Sequence, residues 1–181
     1  MVGEIFSQEK RVKTYTLVFF MAFLFSYSDP SFAQSTEKEP PAVLEIGGAA
    51  SRSLTESQSS FGPTVAVECT PIENWLELEA GTTSFFRRHS TEWSVDLLFK
   101  KPWTLSDKNE FMFGVGPEWT HTNAYGIKMN SVALEVAPDL MFWSSKKHRF
   151  GWYLEPSYEY KVGPGPEHSL AITGGLLIGI P

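Results

Sequence analysis

The chain has 181 residues, 15 basic and 21 acidic side chains, and a formal net charge of −6. No block of positive charge is present, so composition argues against nucleic-acid binding. The single cysteine, Cys69, excludes an intramolecular disulfide.

The first 33 residues have the layout of a secretory signal peptide. Basic residues at 10–13 precede an apolar run at 16–27, and the small residues Ser31 and Ala33 occupy the −3 and −1 positions of a cleavage site. The apolar run is too short for a membrane helix, which needs about 20 residues. We therefore predict that segment 1–33 is a cleaved signal peptide and that the protein is exported.

Residues 34–41 are polar and end in two prolines, which is typical of a flexible N-terminal lead-in. Beyond them, apolar and polar residues alternate with a period of two, and no stretch has the 3.6-residue period of a helix. Short turn-forming segments separate the alternating runs, so residues 42–181 are predicted to form one domain, an all-β, eight-stranded, antiparallel up-and-down meander. The predicted strands are 42–52, 63–71, 75–86, 92–103, 110–121, 131–143, 149–161 and 169–180.

Either a soluble barrel or a transmembrane barrel could use such strands, with the apolar face inward in the first and toward lipid in the second. The strand lengths match the roughly 9 to 11 residues that cross a bilayer at a tilt. The polar face is also rich in glycine and small residues, as a narrow eight-stranded lumen requires. We therefore predict a transmembrane β-barrel. Aromatic residues near the strand ends are expected to form interfacial girdles: Trp75, Trp93, Trp103, Trp119, Trp143, Trp152, Tyr158 and Tyr160.

Acidic residues alternate with the apolar ones in several strands, and they must face the lumen. A charged side chain at the bilayer midplane costs up to about 4 kcal/mol, so eight or so would exceed the stability of a domain. We expect a hydrated or partly protonated acidic lumen, with Arg52, Lys100 and Arg149 as possible partners near strand ends. The predicted acidic cluster consists of Glu118, Glu135, Asp139, Glu155 and Glu159.

Three prolines, Pro117, Pro138 and Pro156, lie within strands and next to acidic residues. A central strand rarely contains proline, so we predict a β-bulge at each. The alternative is a shared polar site formed by Glu118, Asp139 and Glu155.

Sidedness follows if both termini lie in the periplasm. Loops 53–62, 87–91, 122–130 and 162–168 would then face outward, and we expect most of them to be long or glycine-rich. Arg87 and Arg88 would lie where lipopolysaccharide phosphates could pair with guanidinium groups. The second basic cluster, 146–149, would lie at the periplasmic rim.

These features resemble the small outer-membrane β-barrel proteins of Gram-negative bacteria, in the eight-stranded size class. The closing stretch "FGWYLEPSYEY…GPGPEHSLAITGGLLIGIP" resembles the end of an uncharacterised proteobacterial family of such barrels, best over residues 110–181. The resemblance implies the fold, an outer-membrane location, contact with outer-membrane lipid and lipopolysaccharide, and insertion by the barrel-assembly machinery. It implies no activity.

The sequence contains little that indicates a catalytic or metal site. The four histidines lack metal-ligand spacing, so neither a metal nor a cofactor is expected. The segment "THTNA" at 120–124 resembles the His-x-Ser-Asn-type motif of lipid A deacylases, with His121 and Asn123 in place, but the nucleophilic serine is absent.

The sequence therefore predicts a monomeric barrel with a structural, envelope or surface-interaction role and no catalysis. Three alternatives stay open: a lipid-modifying enzyme that resembles the deacylases, a narrow acid-lined conduit for protons or cations, and a soluble lipocalin-like carrier.

Overall fold

The computed structural model describes residues 40–87, 90–162 and 167–181. The predicted signal peptide, most of the lead-in, and Arg88 lie outside the described residues, so those predictions stay untested. The described residues form eight strands: β1 (Ala42–Ser53), β2 (Ser59–Ile72), β3 (Leu76–Arg87), β4 (Ser90–Ser106), β5 (Asn109–Ala124), β6 (Ile127–Trp143), β7 (Phe150–Val162) and β8 (Glu167–Ile180).

The strands form a closed antiparallel barrel in sequence order, and β1 pairs with β8 to complete it. The closing register runs from Ala42 opposite Ile180 to Ser53 opposite Ser169. The prediction of an eight-stranded antiparallel meander is therefore confirmed. No helix in the described part of the chain has the length and apolar character to cross a membrane.

We call the end of the barrel at Ala42 and Ile180 the terminal end, and the opposite end the distal end. Strands extend further toward the distal end than predicted. Strand β2 begins at Ser59, where residue 63 was predicted, and β6 begins at Ile127, where residue 131 was predicted. The expectation of a long loop between β5 and β6 is wrong. Tyr125 and Gly126 alone connect these strands, and both have positive φ (51° and 80°), as in the type I′ turn that suits a hairpin.

The prolines do not produce bulges. Across Pro117, Asp96 pairs with Glu118 and Phe99 with Val115, so both strands advance by three residues. Pro138 and Pro156 likewise leave the register of β6 and β7 unchanged, while register shifts occur elsewhere, in β2–β3 and β4–β5. The bulge prediction is wrong: each proline costs the ladder one N–H donor, and the pairs on either side keep their register without an extra residue. The proline rings lie on the outward-facing side of their strands.

Large apolar side chains cover the outside of the barrel. Leu97, Leu134 and Ile172 are exposed on the middle of their strands, and the acidic residues that alternate with the apolar ones are buried inside. Trp93 and Trp119 meet edge to face at the distal end of this apolar belt, and Trp103 and Phe111 stack near the terminal end. The outer surface is therefore the apolar one.

Trp143 departs from the predicted girdle. It has the same strand parity as Asp139 and Met141, so its side chain points into the barrel and is buried. There it stacks on His148, at 4.7 Å between ring centroids, and its indole Nε1 donates to Glu110 at 3.2 Å.

Trp143 belongs to a small apolar core that fills the interior near the terminal end. We call this core the plug. It draws side chains from β1, β5, β6, β7 and β8, and its members are Val43, Met112, Met141, Trp143, Tyr153 and Leu177.

Candidate functional site in the barrel interior

The five predicted acidic residues are all buried in the barrel interior, and they separate into two groups. Asp139 and Glu155 both contact Lys100. Glu118, Glu135 and Glu159 lie further toward the distal end, where Glu135 and Glu159 face each other across β6 and β7. The alternative polar site of Glu118, Asp139 and Glu155 is therefore only partly assembled, because Glu118 belongs to the other group.

Lys100 is the centre of the first group. Its side chain is fully buried, and its Nζ lies 2.7 Å from Glu155, 3.0 Å from Asp139 and 3.6 Å from Glu68. Glu79 makes a fourth, shorter ion pair with the same ammonium group. The ammonium group of Lys100 therefore forms ion pairs with four carboxylates, and each carboxylate comes from a different strand.

The expectation that Lys100 lies near a strand end is wrong. Strand β4 continues to Ser106, so Lys100 occupies an inward position beyond Asp96 and Leu98 on the same face. Of the other two expected partners, Arg52 and Arg149 are both exposed. Lys100 is therefore the cation that reaches the middle of the described interior.

Sequence reasoning also left three carboxylates out of the predicted cluster: Glu45, Glu68 and Glu79. Each is flanked by outward-facing side chains in its strand, so the alternation indicated that all three point into the barrel. Which strands lie opposite one another inside a barrel is set by closure, and no local pattern reports it.

The carboxylates of this group would repel one another strongly if all of them were ionised. Glu68 and Glu79 face each other directly across β2 and β3, and two carboxylates about 4 Å apart repel by roughly 4 kcal/mol at an effective dielectric constant near 20. Lys100 offsets part of this repulsion. Several buried oxygens have no hydrogen-bond partner among the described residues. Those of Glu68, Glu79 and Glu155 form ion pairs with Lys100, whereas Glu45 Oε1 and Asp139 Oδ1 form none. Glu118 Oε2, in the other group, also lacks a hydrogen-bond partner.

A small cavity of about 30 Å³ lies beside the Lys100 group. Its wall includes carboxylates from both groups, with threonines and Tyr153 between them. The volume is enough for about one water molecule. A cavity of this size is small, in keeping with the narrow interior expected for an eight-stranded barrel.

A third set of charges lies at the distal mouth. Glu92 accepts hydrogen bonds from Lys161 at 3.1 Å and from Thr122 at 2.9 Å, and Arg87 lies 4.0 Å from the same carboxylate. Arg87 thus makes a partly buried contact with the rim of the lumen. Its predicted contact with lipopolysaccharide stays a prediction.

The basic segment 146–149 lies at the terminal end and has mixed contacts. Lys146 pairs with Asp107 in the β4–β5 turn and thereby holds the pKa of the Asp107 carboxyl below its usual value. His148 is buried against Trp143, with Nδ1 3.6 Å from Glu110. This segment therefore closes the terminal end as well as carrying charge.

His121 does not form a catalytic arrangement. Its ring stacks on Trp119, and Nδ1 lies 2.7 Å from Asn130 Oδ1. The neighbouring hydroxyl, on Thr122, is engaged with Glu92 on the opposite face of the strand. The residues around His121 therefore resemble a polar contact on the outer surface more than a hydrolytic triad.

An apolar outer surface, aromatic residues toward its edges and a charged interior define a transmembrane β-barrel of the outer-membrane type. No protein-family model matches the chain. A search of curated proteins also finds no match.

Solved structures share the fold at low sequence identity. Neisserial surface protein A has a TM-score of 0.61 and 12% identity over 77% of this chain and 96% of its own. The attachment invasion locus protein Ail of Yersinia pestis has 0.50 and 13% over 78% and 100%. The N-terminal β-barrel domain of Pseudomonas aeruginosa OprF has 0.51 and 12% over 77% and 99%. The chain thus has the fold of small, eight-stranded outer-membrane β-barrels, and its apolar belt fits a location in that membrane.

Proposed function

We propose that this protein is a closed, non-conducting outer-membrane barrel with a structural or surface-interaction role. The plug is the observation that supports it, because six apolar side chains fill the interior near the terminal end. The Lys100 group adjoins the plug, since Tyr153 of the plug and Glu155 both line the same cavity. An ion moving along the axis would have to cross both layers.

Conductance measurements test the closed state. The protein is refolded in detergent, its folded state is checked by heat-modifiable gel mobility, and it is added to planar bilayers. We expect no current steps above those of a heat-denatured sample. Reproducible channels from the folded form alone would favour the alternative of an acid-lined conduit.

The surface role is proposed for the distal end. There the β5–β6 hairpin carries exposed apolar side chains, Tyr125, Ile127 and Met129, together with Lys128. Two of the proteins with similar folds are described as a surface protein and an attachment protein, which agrees with such a role. We further propose that the chain is a monomer, that the barrel-assembly machinery inserts it, and that its distal end contacts lipopolysaccharide.

Epitope tags test this orientation on intact cells. A tag inserted between Tyr125 and Gly126 should be labelled by an antibody that does not cross the membrane. A matched tag between Ser144 and Ser145, in the turn at the terminal end, should be labelled only after permeabilisation. The reverse pattern would place the terminal end outside and overturn the proposal.

We propose no lipid-modifying activity. The geometry around His121 supports this, because its Nδ1 is held by Asn130 and the adjacent hydroxyl faces the lumen. Mass spectrometry of lipid A from cells that express the wild type or His121→Ala should give identical acylation patterns. Loss of an acyl chain in the wild type only would establish the deacylase alternative.

A further inference from the structure

We propose that the barrel interior binds one divalent, oxygen-preferring cation beside Lys100. The four carboxylates that would hold it are Glu45, Glu68, Glu79 and Asp139. One oxygen atom from each lies within 4.8 Å of the others, and all four side chains are buried. This proposal does not depend on the surface role.

Unpartnered oxygen atoms supply an independent reason for a ligand. Glu45 Oε1 and Asp139 Oδ1 have no hydrogen-bond partner within the described ranges, although these side chains are at most 1% exposed. A buried anionic oxygen without a partner is strongly unfavourable, and a bound ion is one of the ways in which a protein satisfies it. A cation that Glu45 and Asp139 bind through these atoms would satisfy both.

Lys100 cannot satisfy them itself. An ammonium group has three N–H donors, and its nearest carboxylates are those of Glu79, Glu155 and Asp139, the last through Oδ2. Glu45 forms no ion pair with Lys100 in the structure. In their ionised forms, the four proposed ligands and Glu155 would therefore carry more negative charge than the one ammonium group offsets.

The chemistry of the donors selects the class of ion. All the donors are carboxylate oxygens, which Ca²⁺ and Mg²⁺ prefer over softer metals. Ligands on opposite sides of Ca²⁺, each at about 2.4 Å, are about 4.8 Å apart, and Ca²⁺ accepts irregular geometry. The adjoining cavity of about 30 Å³, which Glu45 and Glu79 line, leaves room for about one water ligand. Mg²⁺ usually keeps several waters, so Ca²⁺ fits better.

The site was not expected from the sequence, where the search for metal ligands relied on histidine spacing. The four carboxylates come from β1, β2, β3 and β6, so their spacing along the chain carries no signal. Strand β6 lies across the barrel from β1–β3 in the strand order. A bound ion would therefore tie opposite walls of the barrel together.

Calcium titration of the refolded protein tests the proposal. The chain is refolded in zwitterionic detergent, treated with a chelator and passed over a desalting column, and Ca²⁺ is then titrated by calorimetry. A second sample is refolded with Ca²⁺ present, and its metal content is measured after gel filtration. We expect one Ca²⁺ per chain.

Variants locate the ion. Glu45→Gln and Asp139→Asn should each weaken binding by tenfold or more, while Glu159→Gln, a change at another buried acidic residue outside the four ligands, should leave it unchanged. Lys100→Met should strengthen binding, because it removes a positive charge beside the ion. Heat-modifiable mobility shows whether each variant folds. If one of the two ligand variants does not fold, Glu68→Gln is measured in its place.

Two results would overturn the proposal. The first is a wild-type protein that takes up no Ca²⁺ at millimolar concentration in either preparation. The second is binding that Glu159→Gln weakens as much as Glu45→Gln does, which would indicate a diffuse attraction of the acidic lumen for cations and no defined site.

Discussion

At the scale of single residues, Lys100 has the most demanding environment in the described interior. A lysine is almost never fully buried unless it is paired, and here it contacts four carboxylates. The stability of such a buried charge cluster depends on every member, because removal of one leaves a buried charge without its partner. The sequence could predict that acidic residues face inward. It named Lys100 as one of three possible partners of these residues, near a strand end. It could not predict that four carboxylates meet there, because barrel closure decides which strands lie opposite one another.

Replacement of Lys100 tests this dependence. Lys100→Met should destabilise the barrel by about 3–5 kcal/mol, because it leaves buried carboxylates without their counter-charge. Urea unfolding of the detergent-refolded protein in the absence of divalent cations measures the change. Lys128→Met, at the exposed start of β6, should shift the free energy of unfolding by no more than about 0.5 kcal/mol. Equal effects of the two substitutions would show that the Lys100 group contributes nothing specific.

Gly114 makes space for the Lys100 side chain. A Cβ atom at this position would lie 2.9 Å from Lys100 Cγ, near the base of the side chain, where little adjustment is possible. Gly114→Ala should therefore cost about 1–3 kcal/mol, as overpacking does. Gly48→Ala is the matched control, because its Cβ would meet nothing closer than 3.6 Å. If both changes have the same effect in urea unfolding, the close approach has no energetic consequence.

At the scale of elements, alternation predicted the strands well because each strand has one face toward an apolar exterior and one toward a polar interior. Register was harder to infer. Pro117, Pro138 and Pro156 were expected to force bulges, yet their rings point outward and the register continues. Trp143 was placed at an interface by its type, although its parity with Asp139 already indicated an inward position. Parity was thus a better guide than residue type.

The plug provides the prediction at this scale. Met112 is fully buried among apolar side chains, so Met112→Ala should leave a cavity and cost about 2–5 kcal/mol. Met129→Ala makes the same chemical change at a residue that is 57% exposed, and its effect should stay within about 0.5 kcal/mol. Urea unfolding compares the two. A small loss for Met112→Ala would mean that the terminal end is loosely packed, and it would weaken the argument for a closed barrel.

At the scale of the whole molecule, the arrangement is inverted relative to a soluble protein. Its outside is apolar, and most of its acidic residues that belong to strands are inside. In water an exposed apolar surface of this extent would favour association. In a bilayer the same surface contacts acyl chains, and the buried charges are kept away from lipid. This inversion also explains why composition alone, with its net acidic balance, gave so little indication of a membrane protein.

The inversion makes a prediction about a charge placed on the outer surface. Such a charge should lower the stability of a barrel that contacts lipid, but not that of a barrel whose outer surface contacts water. Leu97 lies on the outer face of β4, between Trp93 and Trp103, and is 40% exposed. In lipid vesicles, Leu97→Arg should destabilise the barrel by about 2–4 kcal/mol, the cost of arginine near the bilayer midplane. Ile127→Arg, beside the distal turn, should cost no more than about 1 kcal/mol, because the cost falls toward the interface. Urea unfolding in vesicles gives both values. A soluble carrier would tolerate arginine at either exposed position, so an unchanged stability for Leu97→Arg would favour that alternative and contradict the transmembrane barrel.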